Sequence, residues 1–230
     1  MGPRTGGRVR PFPLFLLLAA AAGGLSTFPL PANGQRSGDH PAHLANAVET
    51  ERLLARGQVV GWSDFKYAGH LANGYYPPLA ALLVAGVHRV GRPLLDWDAA
   101  YDACLLAVLC LGGALVFAFL RGLAGTAAAL VGTVVAFWLD PGALWVGGRF
   151  FVLELGVWPF ALSAFLVAGA LAILPAVLAR PTLPRLAALA VLVALSVLAH
   201  PFAVVMLGLL GPTRAALVPA PLRTRPGILA

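Results

Sequence analysis

The sequence predicts an all-α, multi-spanning transmembrane helical bundle with a long first extracytoplasmic loop that carries juxtamembrane helices. Three observations lead there. Hydrophobic residues make up 60% of the 230 positions and charged residues 11%, with a mean hydropathy of +0.85, whereas a soluble domain carries about 25% charged residues. Apolar runs recur near the 20-residue length that crosses roughly 30 Å of hydrocarbon. The basic residues stand singly between those runs, as orientation in a bilayer requires.

The net charge of +7 comes from fifteen Arg and one Lys against nine acids. No basic cluster interleaved with aromatics occurs, so nucleic acid is excluded as a partner and membrane lipid is expected instead. Cys104 and Cys110 lie within one apolar run and act as small apolar residues, with neither zinc spacing nor a disulfide framework. No Asn-x-Ser/Thr sequon is present.

Arg4, Arg8 and Arg10 precede an apolar run, which predicts a first span at about 11–30 with the N-terminus in the cytoplasm and the chain in the cytoplasmic (inner) membrane. The competing reading is a cleaved signal peptide with its small-residue cleavage site near Ala19–Gly24. Residues 31–97 then form the outer loop. Within it, Pro41 to about Arg56 reads as an amphipathic helix with Leu44, Val48 and Leu54 on one face. Pro77–Val90 reads as a second helix, too short to span comfortably and lying at the membrane surface, with a full span as the alternative. Four further spans follow at about 99–120, 123–139, 157–178 and 186–210. This arrangement puts Arg121, Arg180 and Arg185 inside and Trp97, Trp138, Trp145 and Trp158 at the outer interface.

The polar residues that could carry chemistry concentrate outside. Gly38-Asp39-His40-Pro41-Ala42-His43 opens the outer loop. Helix capping accounts for Asp39 and Pro41. It leaves His40 and His43 unexplained, and Asp39 and His43, four apart, share a helical face. Asp39 as a catalytic base, and a metal site with His40 or His43 in which Asp39 and His40 are the leading candidates, therefore stand beside the capping reading; the metal would be a divalent cation. Tyr75-Tyr76-Pro77-Pro78 is an interfacial anchor and a helix start, or a substrate contact through Tyr76. In the second outer loop Glu154 sits in a nearly acid-free half of the chain. There it pairs with Arg149 or accepts a proton, while Arg149 has the geometry to meet a lipid phosphate. His200-Pro201 falls in the last expected span. It is either a functional ionisable group or a neutral imidazole bonded to a carbonyl freed by the proline.

This order of parts resembles the GT-C glycosyltransferase superfamily: one span, an outer loop opening with Gly-Asp-His-Pro-x-His, an amphipathic helix, a Trp, a Gly, Tyr-Pro-Pro-Leu, then further spans. Most closely it looks like bacterial proteins termed 6-pyruvoyl-tetrahydropterin synthase-related membrane domains, though nothing here resembles the soluble pterin enzyme. The resemblance covers about residues 11–210. It implies transfer of a sugar from a polyprenyl-phosphate-linked donor at the extracytoplasmic face, with an acidic residue of the first outer loop as base or metal ligand. That role falls to Asp39, with His40 beside it and Glu154 as a further catalytic candidate. His43, Tyr76, Arg149 and His200 become substrate-binding candidates. Such enzymes carry around a dozen spans, so five predict that this chain is the N-terminal part of a larger protein. A transporter subunit and a non-catalytic scaffold of the same fold are the alternatives. Against transport, 104–120 and 186–198 lack ionisable groups and no matched pair of broken helices is visible.

Overall fold

The structure, a computed structural model, describes residues 38–64, 68–138 and 150–218. The expected first span, Arg149 and Trp145 lie outside them. The described chain is mostly helical, and two of its helical segments are long and apolar enough to cross a membrane.

Helix α1, His40–Ala55, starts with Pro41 in its first turn, where a missing N–H is harmless. It stops at Arg56 and Gly57, the latter at φ 72°. Its fully buried residues are His40, Ala47, Thr50 and Leu53; of the expected Leu44, Val48 and Leu54 stripe, all three are half-buried and Leu44 packs against the core. Polar residues can be buried here because they find partners: Asn73 Nδ2 donates to Thr50 Oγ1 at 3.0 Å. Two short strands follow, β1 (Gly61–Ser63) and β2 (His70–Ala72), paired antiparallel with Trp62 opposite Leu71. This hairpin is a departure from the all-helical expectation. Helix α2, Leu79–Gly91, then packs along α1. His88 Nδ1 lies 2.6 Å from Glu51 Oε2, and the same imidazole stacks on Trp97 at 3.7 Å between ring centroids.

Helix α3, Trp97–Trp138, is broken at Gly125 (φ 81°, ψ 179°) and folds back as a hairpin. Phe117 and Ala129 are buried together, and Leu120 packs beside Gly132. Phe165 covers Gly112 and also stacks on Phe137. At 1.5 Å per residue a straight helix would hold Gly112 and Phe137 about 37 Å apart, so the arms must be antiparallel. The two expected spans at 99–120 and 123–139 thus appear as the arms of one hairpin.

A π-helical turn, Phe150–Glu154, leads into α4, Trp158–Ala179. Its 22 residues rise about 33 Å, and it is the most buried helix of the bundle. Contacts of Gly112 with Phe165 and Leu115 with Gly169 make it parallel to the first arm of α3. Helix α5, Leu183–Ala199, returns along α4. Ser163 Oγ donates to Ser196 O at 2.9 Å and lies 3.4 Å from His200 O.

The expected single span at 186–210 is instead two helices. His200 is extended (φ −160°, ψ 136°), and α6 runs over Ala203–Ala216. The cause is Pro201, which disfavours helical backbone at the residue before it. Helix α6 turns back down the bundle: Ala203 packs against Val167 and Leu171 of α4, whereas Arg214 Nη2 reaches Gly122 O at the far turn of α3 at 3.3 Å.

Two glycines in open space differ in backbone conformation, which substitution should reveal. Gly125 occupies a backbone region essentially confined to glycine, with open space around its α-carbon. Gly125→Ala should therefore destabilise by about 1–3 kcal/mol, with no steric clash involved. Gly208 also faces open space but sits in helical backbone within α6, so Gly208→Ala should stabilise by up to about 1 kcal/mol. Thermal unfolding of the two purified variants should move in opposite directions.

Candidate functional site

At one end of the bundle the start of α1 is held against the start of α4 by backbone contact. Asp39 N–H donates to Leu155 O at 2.9 Å. Gly38 (φ 59°) and Gly156 (φ 74°) face each other across this bond. A Cβ on Gly156 would lie 2.6 Å from His40 N, and one on Gly38 would collide with the Leu155 carbonyl. Both the φ values and the close approach select glycine here.

Beneath this contact three buried side chains share one hydroxyl. Trp158 Nε1–H donates to Tyr101 Oη at 2.7 Å. His40 Nδ1 lies 2.9 Å from the same oxygen, and His40 Nε2 lies 2.8 Å from Leu153 O. The carbonyl can only accept and the indole can only donate. A neutral His40 carrying its proton on Nε2, with the Tyr101 hydroxyl donating to Nδ1, uses every group once. His40 and Tyr101 are almost wholly excluded from solvent. The assignment of His40 as a catalytic or metal-binding group is corrected accordingly, because both ring nitrogens are committed to holding the fold.

Above the network lies a cleft of about 270 Å³ between α1, the β-hairpin and the start of α2. One side is a polar stripe along α1: Asp39, His43, Asn46 and Glu49. The other side includes His70, whose Nδ1 is shut from solvent with no hydrogen-bond partner, and Tyr76. Asp39 is the N-cap residue of α1, yet its carboxylate makes no capping hydrogen bond and is exposed. Burial, and secondarily the Asp39 charge, raise the Tyr76 phenol above its ordinary range, so it stays a protonated donor at neutral pH. The Tyr76 ring touches His43 at 6.2 Å and His200 at 5.8 Å between centroids.

His200 sits in the connection between α5 and α6, edge-on to Phe160 as well as Tyr76. Its Nδ1 accepts the Phe202 N–H at 3.2 Å, so its bonding partner is a backbone donor and not the freed carbonyl expected from the His-Pro pair. Ser163 Oγ adds a second donor to Ser196 O, which already accepts the His200 N–H at 3.1 Å.

Four of the candidates named from sequence thus form a continuous set: Asp39, His43, Tyr76 and His200. Glu154 is exposed one residue before Leu155, the backbone partner of Asp39, and belongs to the same end without lining the cleft. Arg149 falls outside the described residues. Among the described residues no three His, Cys, Asp or Glu side chains gather as metal ligands. Both His40 nitrogens are engaged within the fold, so of the two histidines considered as partners for Asp39 only His43 lines the cleft. Trp158, expected at the outer interface, is fully buried among protein side chains at the start of α4.

From sequence, Glu49 and His70 stand only as members of the polar outer loop, with no role assigned, and neither Asn46 nor Tyr101 is singled out. Polar residues at 39, 43, 46 and 49 recur at helical spacing, a signal that points to Asn46. Tyr101 gives none, because its role arises across the fold. Chemically, the cleft offers a free carboxylate beside an imidazole, an amide and a phenol, groups suited to a hydroxylated ligand and to taking up a hydroxyl proton. No family model matches this chain, and neither does any curated protein or solved structure.

Tyr101→Phe tests the network. Removing one hydroxyl would orphan the Trp158 indole N–H and His40 Nδ1, each buried, at a cost of about 1–3 kcal/mol per group. The variant should unfold at a clearly lower temperature, and the near-ultraviolet signal of Trp158 should change. Unaltered stability would show that the shared hydroxyl does not hold α1, α3 and α4 together.

Proposed function

We propose that this chain is a membrane-embedded GT-C-like glycosyltransferase, or the N-terminal part of one. In this reading it transfers a sugar from a polyprenyl-phosphate-linked donor at the extracytoplasmic face of the inner membrane. The observation that carries it is the Asp39 carboxylate: exposed at a polar cleft, free of capping duty, and set at one end of a bundle of apolar helices.

The membrane part of the reading draws support from the surface. Val131, Val134, Val191, Val204 and Leu209 are all more than half exposed although they lie on α3, α5 and α6, an apolar exterior that water does not favour and lipid does. Several spans fit this surface, with α4 central and the hairpin arms and α5 around it. The chemistry follows from the cleft. Asp39 would accept the proton of the acceptor hydroxyl as the glycosidic bond forms. His43 and Tyr76 would orient the acceptor, with His200 supporting the Tyr76 ring. Glu154 would act at the same face, and Arg149 is retained as a contact for the donor phosphate.

Asp39→Asn and Asp39→Ala separate the roles of this residue. Asn caps a helix about as well as Asp, but it cannot take a proton. Transfer from a panel of labelled polyprenyl-phosphate sugars, using the full-length protein and normalising to inserted protein, should fall about 10²–10⁴-fold in both variants, with unchanged amounts of folded protein. Activity kept in Asn and reduced in Ala would identify a cap and remove the catalytic assignment.

A further inference from the structure

The end of the bundle remote from the cleft has its own charge problem. Seven residues beyond Leu115 and seven beyond Gly169 bring Gly122 and Ala176 to a common level, since these two helices run parallel and touch at that pair. At this level stand four arginines. Arg121, Arg180 and Arg185 are exposed, with Arg185 Nη1 donating to Ala176 O at 3.1 Å and to Arg180 O at 3.0 Å. Arg214 is only 8% exposed. Its Nη2 donates to Gly122 O at 3.3 Å, and its Nε is shut from solvent with no acceptor. Among the described residues every acid lies within 38–102 or is Glu154, so none of the described carboxylates stands at this end.

A buried guanidinium without a counter-charge is strongly unfavourable, and its planar fork matches a tetrahedral oxyanion through two parallel N–H donors. The surroundings identify the anion's carrier. Leu210 and Leu217, one turn to either side of Arg214, are 46% and 63% exposed, and Leu209 is 67% exposed. A basic group flanked by exposed aliphatic side chains complements a phosphate joined to acyl chains and not a free ion. We propose that this end of the bundle binds an anionic phospholipid, its headgroup phosphate seated on Arg214 at the α3 turn and its chains lying along α6. The proposal does not depend on glycosyl transfer.

The test uses the full chain, purified and delipidated in detergent, with added phosphatidylglycerol, phosphatidylcholine or inorganic phosphate. Binding is read by native mass spectrometry and by thermal unfolding. Phosphatidylglycerol should be retained and should raise the unfolding temperature, with little effect from the other two. Arg214→Gln should weaken phosphatidylglycerol binding about tenfold or more, the loss expected for a charge-assisted hydrogen bond, while Arg180→Gln should leave it nearly unchanged. If Arg214→Gln does not fold, Arg214→Lys keeps the charge but loses the fork, and should bind several-fold more weakly than the parent. Equal stabilisation by phosphatidylcholine or by inorganic phosphate overturns the proposal. An equal loss in Arg180→Gln does so too, because it would reveal diffuse charge attraction in place of a site.

Discussion

The arrangement of the cleft end depends on a single backbone approach, the hydrogen bond from Asp39 N–H to Leu155 O between two glycines. Side chains at Gly38 or Gly156 would force the start of α1 away from the start of α4. The His40 ring would then lose Leu153, Asp39 would part from the segment bearing Glu154, and Tyr76 would no longer bridge His43 and His200. The contact joins residues more than a hundred positions apart, so every convergence at this end rests on it.

Around this contact the histidines divide by environment. His40 is buried with both ring nitrogens hydrogen-bonded, and serves packing. His43, one turn on, lies at the cleft with Tyr76 and Trp158 as ring neighbours. His88 pairs with Glu51 and stacks on Trp97, tying α1 and α2 to the start of α3. His200 has its Nδ1 held by a backbone N–H beside the cleft. The same side chain thus serves as a core strut, a cleft wall and an interhelical tie. The number of hydrogen bonds already satisfied decides which, because an imidazole with both nitrogens engaged has no capacity left for a ligand.

The two ends of the bundle differ in charge balance. Where α1 and α2 cover the helix ends, carboxylates and imidazoles accompany Arg52, Arg56, Arg89 and Arg92, whereas at the turns of α3 and between α4 and α5 the arginines stand without acids among the described residues. The turns themselves arise from backbone chemistry and not from side-chain packing. Gly125 supplies a conformation other residues avoid, and Pro201 forces His200 out of helical geometry. The first reversal returns Phe137 to the core of Phe165, Leu166 and their neighbours, and the second lays α6 on a separate cluster with Val167 and Leu171.

Composition and run length alone were enough to indicate an apolar helical chain, because transfer of side chains from water depends on their chemistry whatever the fold. The helix at Pro41, the short helix after Pro77 and the helix at 157–178 were likewise legible, since Pro at a first turn and the length of an apolar run act locally. Asp39, His43, Tyr76 and His200 could be named as candidates from their residue types and neighbours. Only the tertiary structure decided that His40 is a strut, that Asn46, Glu49 and His70 line the cleft, and that the expected last span is two helices. It also decided that Trp158 is buried against Tyr101. These outcomes depend on which groups meet across sequence separations of 57 and 61 residues, and periodicity within one helix carries no information about a partner on another.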